Sequence, residues 1–160
     1  MDEPAKKKIT DPKQGLAKAE HYCAYQERAQ QEVRDKLYDW GLWPDAVESI
    51  ISELISAGFL NEERFAKAYT LGKFRQLSWG KIKIKQGLKF KKVPDVLIKK
   101  ALLQIDGDDY FATLTRILQK KAALTAEKDA YKRRYKLQQY AVSRGFESDL
   151  ILEVLKDSHL

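Results

Sequence analysis

A spaced set of apolar residues occurs three times along this chain, and the repetition limits the fold more than any single motif does. Val33, Leu37, Leu42, Val47, Ile50, Ile51 and Leu54 form the first copy. A shift of 51 residues lands on Ile84, Leu88, Val93, Ile98, Ala101, Leu102 and Ile105. A further shift of 53 lands on Leu137, Ala141, Phe146, Ile151, Val154 and Leu155. Between the second and third slots of each copy lies a turn: Trp40-Gly41, Lys91-Lys92 and Arg144-Gly145. Glycine in two of the three suits a helix end that needs positive φ.

Within each copy the apolar spacing is three and four, which is the helical period. Lys81-Ile82-Lys83-Ile84-Lys85 alternates as a strand would. Ile84 and Leu88 stand where the first copy has the i,i+4 pair Val33 and Leu37, so this segment is expected to be helical as well. Each copy is preceded by one more helical stretch: Leu16 to about Gln26, Glu62 to about Arg75, and Asp109 to about Lys121. Pro44 and Pro94 stand where helices can begin, because the missing N–H does no harm in a first turn. Asn61 before Glu62 and Glu63 is a good N-cap, and Ser148-Asp149 is expected to act in the same way.

The fold expected is therefore all-α, three tandem three-helix repeats forming an elongated, curved array. The boundaries expected are a disordered basic lead over 1–15, then repeats over 16–57, 58–106 and 107–160. Units of this size barely enclose a core alone, so neighbours should lean on one another.

Composition narrows the function. The single cysteine, Cys23, excludes an intrachain disulfide and suits a reducing compartment. No apolar run approaches the roughly 20 residues of a membrane helix. The basic N-terminus has no apolar core behind it, so it does not read as a signal peptide. A soluble, cytoplasmic, monomeric protein is expected. No catalytic constellation stands out. His21-Tyr22-Cys23 lacks partners for a metal, and i,i+2 residues do not share a helix face. Asp106-Gly107-Asp108-Asp109 lacks the late glutamate of a calcium loop and reads as a turn with an acidic N-cap. No glycine-rich phosphate loop occurs. Neither enzyme chemistry nor a cofactor is expected.

The net charge is +7, and it is unevenly placed. From Arg64 to Pro94 there is no acid, while Arg64, Lys67, Lys73, Arg75, Lys81, Lys83, Lys85, Lys89, Lys91 and Lys92 all fall in that window. Phe65, Tyr69, Phe74, Trp79 and Phe90 interleave with them. Lys128, Lys132, Arg133, Arg134 and Lys136 form a second cluster. Each cluster can be a solvated helix face. A long acid-free stretch also fits an anionic partner, since an ordinary soluble surface mixes signs. The aromatics divide similarly. Phe65, Tyr69 and Phe74 fit a buried stripe, Trp40 and Trp43 read as packing residues, and Trp79 or Phe90 could be core or could stack on a base.

Several segments resemble the RecX family. Arg28 to Leu37, with Glu32, Lys36-Leu37 and then Gly41, is similar to that family's first-repeat signature. Gly58-Phe59-Leu60-Asn61-Glu62-Glu63-Arg64-Phe65-Ala66 resembles its most specific motif. Trp79-Gly80 before a basic helix, and Gly145-Phe146 with Ile151, also fit. The likeness covers about residues 16 to 156. It departs at Ala29, often Ser; at Asn61, often Asp; at Gly87, where an acid is common; and at Lys92, which replaces the usual glycine. The resemblance implies a bacterial regulator of the RecA recombinase, one that lodges in the groove of the RecA filament on single-stranded DNA and suppresses ATP hydrolysis and strand exchange. The partner-binding residues expected are Arg64, Lys67, Lys73, Arg75, Lys81, Lys83, Lys85, Lys89, Lys91 and Lys92, followed by Lys132, Arg133 and Arg134. The competing expectation is a stand-alone nucleic-acid-binding protein built from helix-turn-helix-like units.

Overall fold

The apolar slots of the repeat close two cores. In the computed structural model, which describes residues 8–160, every slot residue is buried except the half-buried Leu102. Three helices carry each copy: α1 (Pro12–Tyr25), α2 (Gln30–Asp39) and α3 (Pro44–Ser56); α4 (Glu62–Leu77), α5 (Lys81–Phe90) and α6 (Asp95–Leu102); α7 (Gly107–Leu124), α8 (Ala130–Ser143) and α9 (Ser148–Ser158). No strand occurs among the described residues, so the alternating lysines fan around α5 as the repeat register requires. All the extensive helix pairings lie inside a unit. Each unit thus folds chiefly on its own three helices.

The first core is formed by α1–α3 with Leu42, the buried thiol of Cys23, and Leu60. The second runs without a break through α4–α9 and also takes in Ala29 from the first unit. Three repeats therefore make two cores. Leu88 is fully buried in the larger one. Replacing it with alanine is expected to cost about 3 kcal/mol in a denaturant melt. A loss within error would refute the repeat register.

Asn61 accepts the Arg64 N–H and Asp106 the Asp109 N–H, so two of the three expected caps form. Pro44 opens α3, while Pro94 caps α6 from one residue outside. Two expectations need correction. At α9 the N-cap is Glu147 rather than Ser148, and its carboxylate is engaged elsewhere, with Tyr110. At the start of the chain, α1 begins at Pro12 because Asp11 caps it and Pro12 supplies a preset φ. Residues 8–15 are thus part of the fold, with Gly15 buried against Leu42; the rest of the expected lead, 1–7, lies outside the described residues.

Two of the three equivalent turns act as backbone acceptors. Gly80 N–H donates to Arg144 O at 2.8 Å, and Ile82 N–H to Gly145 O at 3.0 Å, zipping the second unit to the third. Ile9 N–H donates to Trp40 O at 2.7 Å, so the lead segment occupies the first unit's turn in the same manner. At the middle turn the arrangement changes. Ala29 N–H donates to Glu32 Oε1 at 3.2 Å, and that carboxylate meets Lys91 Nζ at 3.5 Å. The joint between the first two units is bridged by side chains where the next one is joined by backbone.

Tyr110 reinforces the second joint. Its hydroxyl accepts from Lys81 N–H and donates to the Glu147 carboxylate, both at 2.9 Å. Its ring lies 5.0 Å from that of Phe146 and 6.0 Å from that of Phe74. Burial raises the phenol well above its usual range, so it remains a donor.

Candidate partner-binding surface

The basic residues singled out in the sequence fall into three groups with different tasks. Some are structural. Arg64 pairs with Glu27 and donates to Gly58 O at 3.0 Å, tying the first unit to the second. Lys91 meets Glu32 at the same joint. Arg133 donates to Ala122 O at 2.8 Å, Thr125 O at 2.7 Å and Leu160 O at 3.0 Å. It satisfies carbonyls that the end of α7 would otherwise leave open.

A second group lies over aromatic rings. Lys73 and Lys83 hold Trp79 between them, at 5.1 and 4.6 Å from the ring centre, and Lys81 lies 5.0 Å above Tyr110. Such contacts leave each ammonium solvated on one side while fixing its place. Trp79 is thereby occupied as part of the joint.

The third group faces water. Lys85 and Lys89 stand one turn apart on the exposed face of α5, and Lys92 follows in the turn at φ +60°. Lys89 reaches Asp95 only at 4.0 Å. Lys67 belongs here in part, since it shares Glu63 with Lys100 at 3.7 and 3.0 Å, and that carboxyl is held below its usual range chiefly by its hydrogen bond to Lys100. Arg75, Lys85, Lys92, Lys132 and Arg134 have no ion-pair partner among the described residues. They do not form one patch. Arg75 lines a groove between α4 and α7 with Asp109 and Arg116, while Lys132 and Arg134 are on α8. The α5 face with Lys92 is what the acid-free window becomes in three dimensions.

Some of the aromatics take their expected roles and some do not. Phe65 and Phe74 are core. Trp43, expected to pack, is about half exposed, and Phe90 is 88% exposed beside the basic turn. Gly87 is explained by a neighbour: a Cβ there would collide with the Tyr69 hydroxyl. Sequence reasoning passed over Arg116, whose guanidinium donates to Ser78 Oγ at 3.0 Å across the second joint, and Arg144, which donates to Leu77 O. It also passed over Tyr131 and Tyr135, exposed one turn apart among lysines. An i,i+4 aromatic pair on a helix with no apolar role was the available signal.

No cluster able to hold a metal ion occurs among the described residues, and no described helix is long and apolar enough to cross a membrane.

Residues 16–54, 61–102 and 108–155 match the first, second and third three-helix domains of RecX, in that order. A regulatory protein RecX from Prosthecochloris aestuarii is 28% identical over 148 residues, covering 92% of this chain and 95% of that one. One from Clostridium acetobutylicum is 31% identical over 134 residues; the match covers 81% of this chain but 62% of its relative. The crystal structure of RecX from Lactobacillus salivarius superposes with a TM-score of 0.83 at 24% identity, over 91% of this chain and 95% of that one, which speaks to the fold. Another crystal structure of a regulatory protein RecX gives 0.81 at 21% identity, over 91% and 74%. The matched domains follow the units drawn by the two cores and three turns, and this chain belongs to the RecX family of regulatory proteins.

Proposed function

We propose that this chain binds the RecA recombinase assembled on single-stranded DNA and restrains its ATP hydrolysis and strand exchange, acting by contact and without a catalytic step. Family membership supports a regulatory role. The observation that carries the finer reading is the exposed face of α5 with Lys92, a strip of positive charge on the middle unit whose one ion pair is Lys89 with Asp95 at 4.0 Å. On one side a backbone zip fixes the orientation of that unit; on the other, ion pairs do so. A groove lined by acidic protein surface and DNA phosphate complements such a strip, and an elongated array can reach more than one filament subunit. We further propose that the chain works as a monomer in the cytoplasm.

The deciding experiment titrates the protein into preformed RecA filaments on single-stranded DNA at near-physiological salt and follows ATP hydrolysis. Inhibition at substoichiometric ratios is expected. Unchanged hydrolysis, together with tight binding to bare DNA, would favour a stand-alone nucleic-acid-binding protein. Salt separates the two further. Direct binding to a single strand weakens with a log–log slope of about −0.7 per phosphate contacted. Inhibition that persists where bare-DNA binding has vanished belongs to the filament.

A further inference from the structure

A groove of about 580 Å3 opens where the end of α7 meets α8, lined by Lys121, Leu124, Tyr135, Lys136, Gln139 and Tyr140. Leu124 and Tyr135 line it, and Tyr131 stands one turn before Tyr135 on α8, outside the lining residues. Leu124 is 83% exposed, Tyr131 81% and Tyr135 57%. Neither Tyr131 nor Tyr135 has a ring or cation contact among the described residues, although the rings of Tyr22, Tyr69, Tyr110 and Tyr140 all do. Tyr131 and Tyr135 lie on one face of α8, one turn apart.

The floor is prepared for an anion. The last carbonyls of a helix carry partial negative charge. Here Arg133 covers those of Ala122 and Thr125, and the Thr125 hydroxyl donates to Lys121 O at 2.7 Å. Lys121 lies 5.1 Å above the ring of Tyr140. No acid occurs from Tyr110 to Ala126 or from Ala130 to Phe146. The two acids between are both engaged: Glu127 with Lys136 at 3.2 Å, and Asp129 in capping α8.

We propose that this groove takes a single-stranded nucleic acid, with bases stacked on Tyr135 and Tyr131 and phosphates on Lys121, Lys136 and Lys132. Flat rings standing in water beside cations are what an unpaired base requires. A duplex keeps its base faces covered, and an acidic peptide brings carboxylates to the lysines but nothing to stack on the exposed rings. The inference does not depend on the filament reading.

The test follows anisotropy of a labelled oligothymidylate with the full chain and no recombinase, so its failure leaves the filament reading intact. Tyr135→Ala combined with Tyr131→Ala is expected to weaken binding at least about tenfold with little change in salt slope, since each stacked base contributes independently of phosphate. The corresponding pair of Tyr→Phe changes should retain binding, which separates stacking from misfolding. Lys121→Gln with Lys136→Gln should reduce the magnitude of the slope by about 1.4. An abasic strand should bind the unmodified protein as weakly as thymidylate binds the alanine variant. Equal affinity for the abasic strand, or no effect of the alanine changes, would overturn the proposal. So would displacement of thymidylate by polyglutamate at equal concentration, which would point to an acidic-peptide site.

Discussion

Reversing the charge at Lys85, Lys89 and Lys92 together is expected to raise the concentration needed for half-inhibition of the RecA ATPase more than about tenfold, while the melting curve barely moves. The separation follows from where these side chains lie. All three are exposed, and the one ion pair among them, Lys89 with Asp95, is at the 4.0 Å limit. Exposed charges of this kind contribute little to stability. Each reversal nevertheless replaces an attraction with a repulsion where the proposed partner is anionic. Lys81, on the same helix, is the wrong choice. Its ammonium rests over Tyr110, and its N–H meets the Tyr110 hydroxyl, so changing it risks the joint and confuses the two effects. Inhibition unchanged in the triple variant would remove the α5 face from the proposal.

The periodicity made the helices legible because every unit must bury the same slots. Ile84 and Leu88 overrode the strand-like alternation of their neighbours for that reason. The merging of two units into one core was not legible. It depends on Gly80, Tyr110 and Phe146 meeting across separations of 30 residues or more, and no local spacing encodes that. The charge cluster was visible as a window without acids. Its division into joint residues, ring-bound lysines and a free face was not, because Arg64, Lys91 and Arg133 look like any other surface base until their carbonyl and carboxylate partners are placed. Lys92 was legible as a departure from glycine. The structure adds that it takes positive φ with its side chain exposed, and that the Ala29 N–H at that joint goes to Glu32 instead.

That difference makes Gly145 a position where a small change should do large damage. Gly145 takes φ +95°, and a Cβ there would collide with the Lys83 side chain and approach Lys83 N to 2.7 Å. Valine adds left-handed strain of about 1–2 kcal/mol and overpacking of about 1–3 kcal/mol. Opening the turn to relieve them forfeits the bonds from Gly80 and Ile82, about 1 kcal/mol each. Gly145→Val is therefore expected to destabilise the shared core by about 2–5 kcal/mol, the lower figure applying where the turn opens. Hydrogen exchange should show the Gly80 and Ile82 amides losing protection while those of α1–α3 keep theirs, because the first unit closes its own core. Gly72→Ala is the control. It lies inside α4 with nothing within 4 Å of its added Cβ, so it should stabilise the chain by about 0.5–1 kcal/mol. If Gly145→Val melts within 1 kcal/mol of the unmodified protein by the usual mutational standard, the backbone zip is not what fixes the second unit against the third. If it behaves as expected and inhibition of RecA falls with it, although every exposed lysine is still present, then the surface acts through the orientation that this turn imposes.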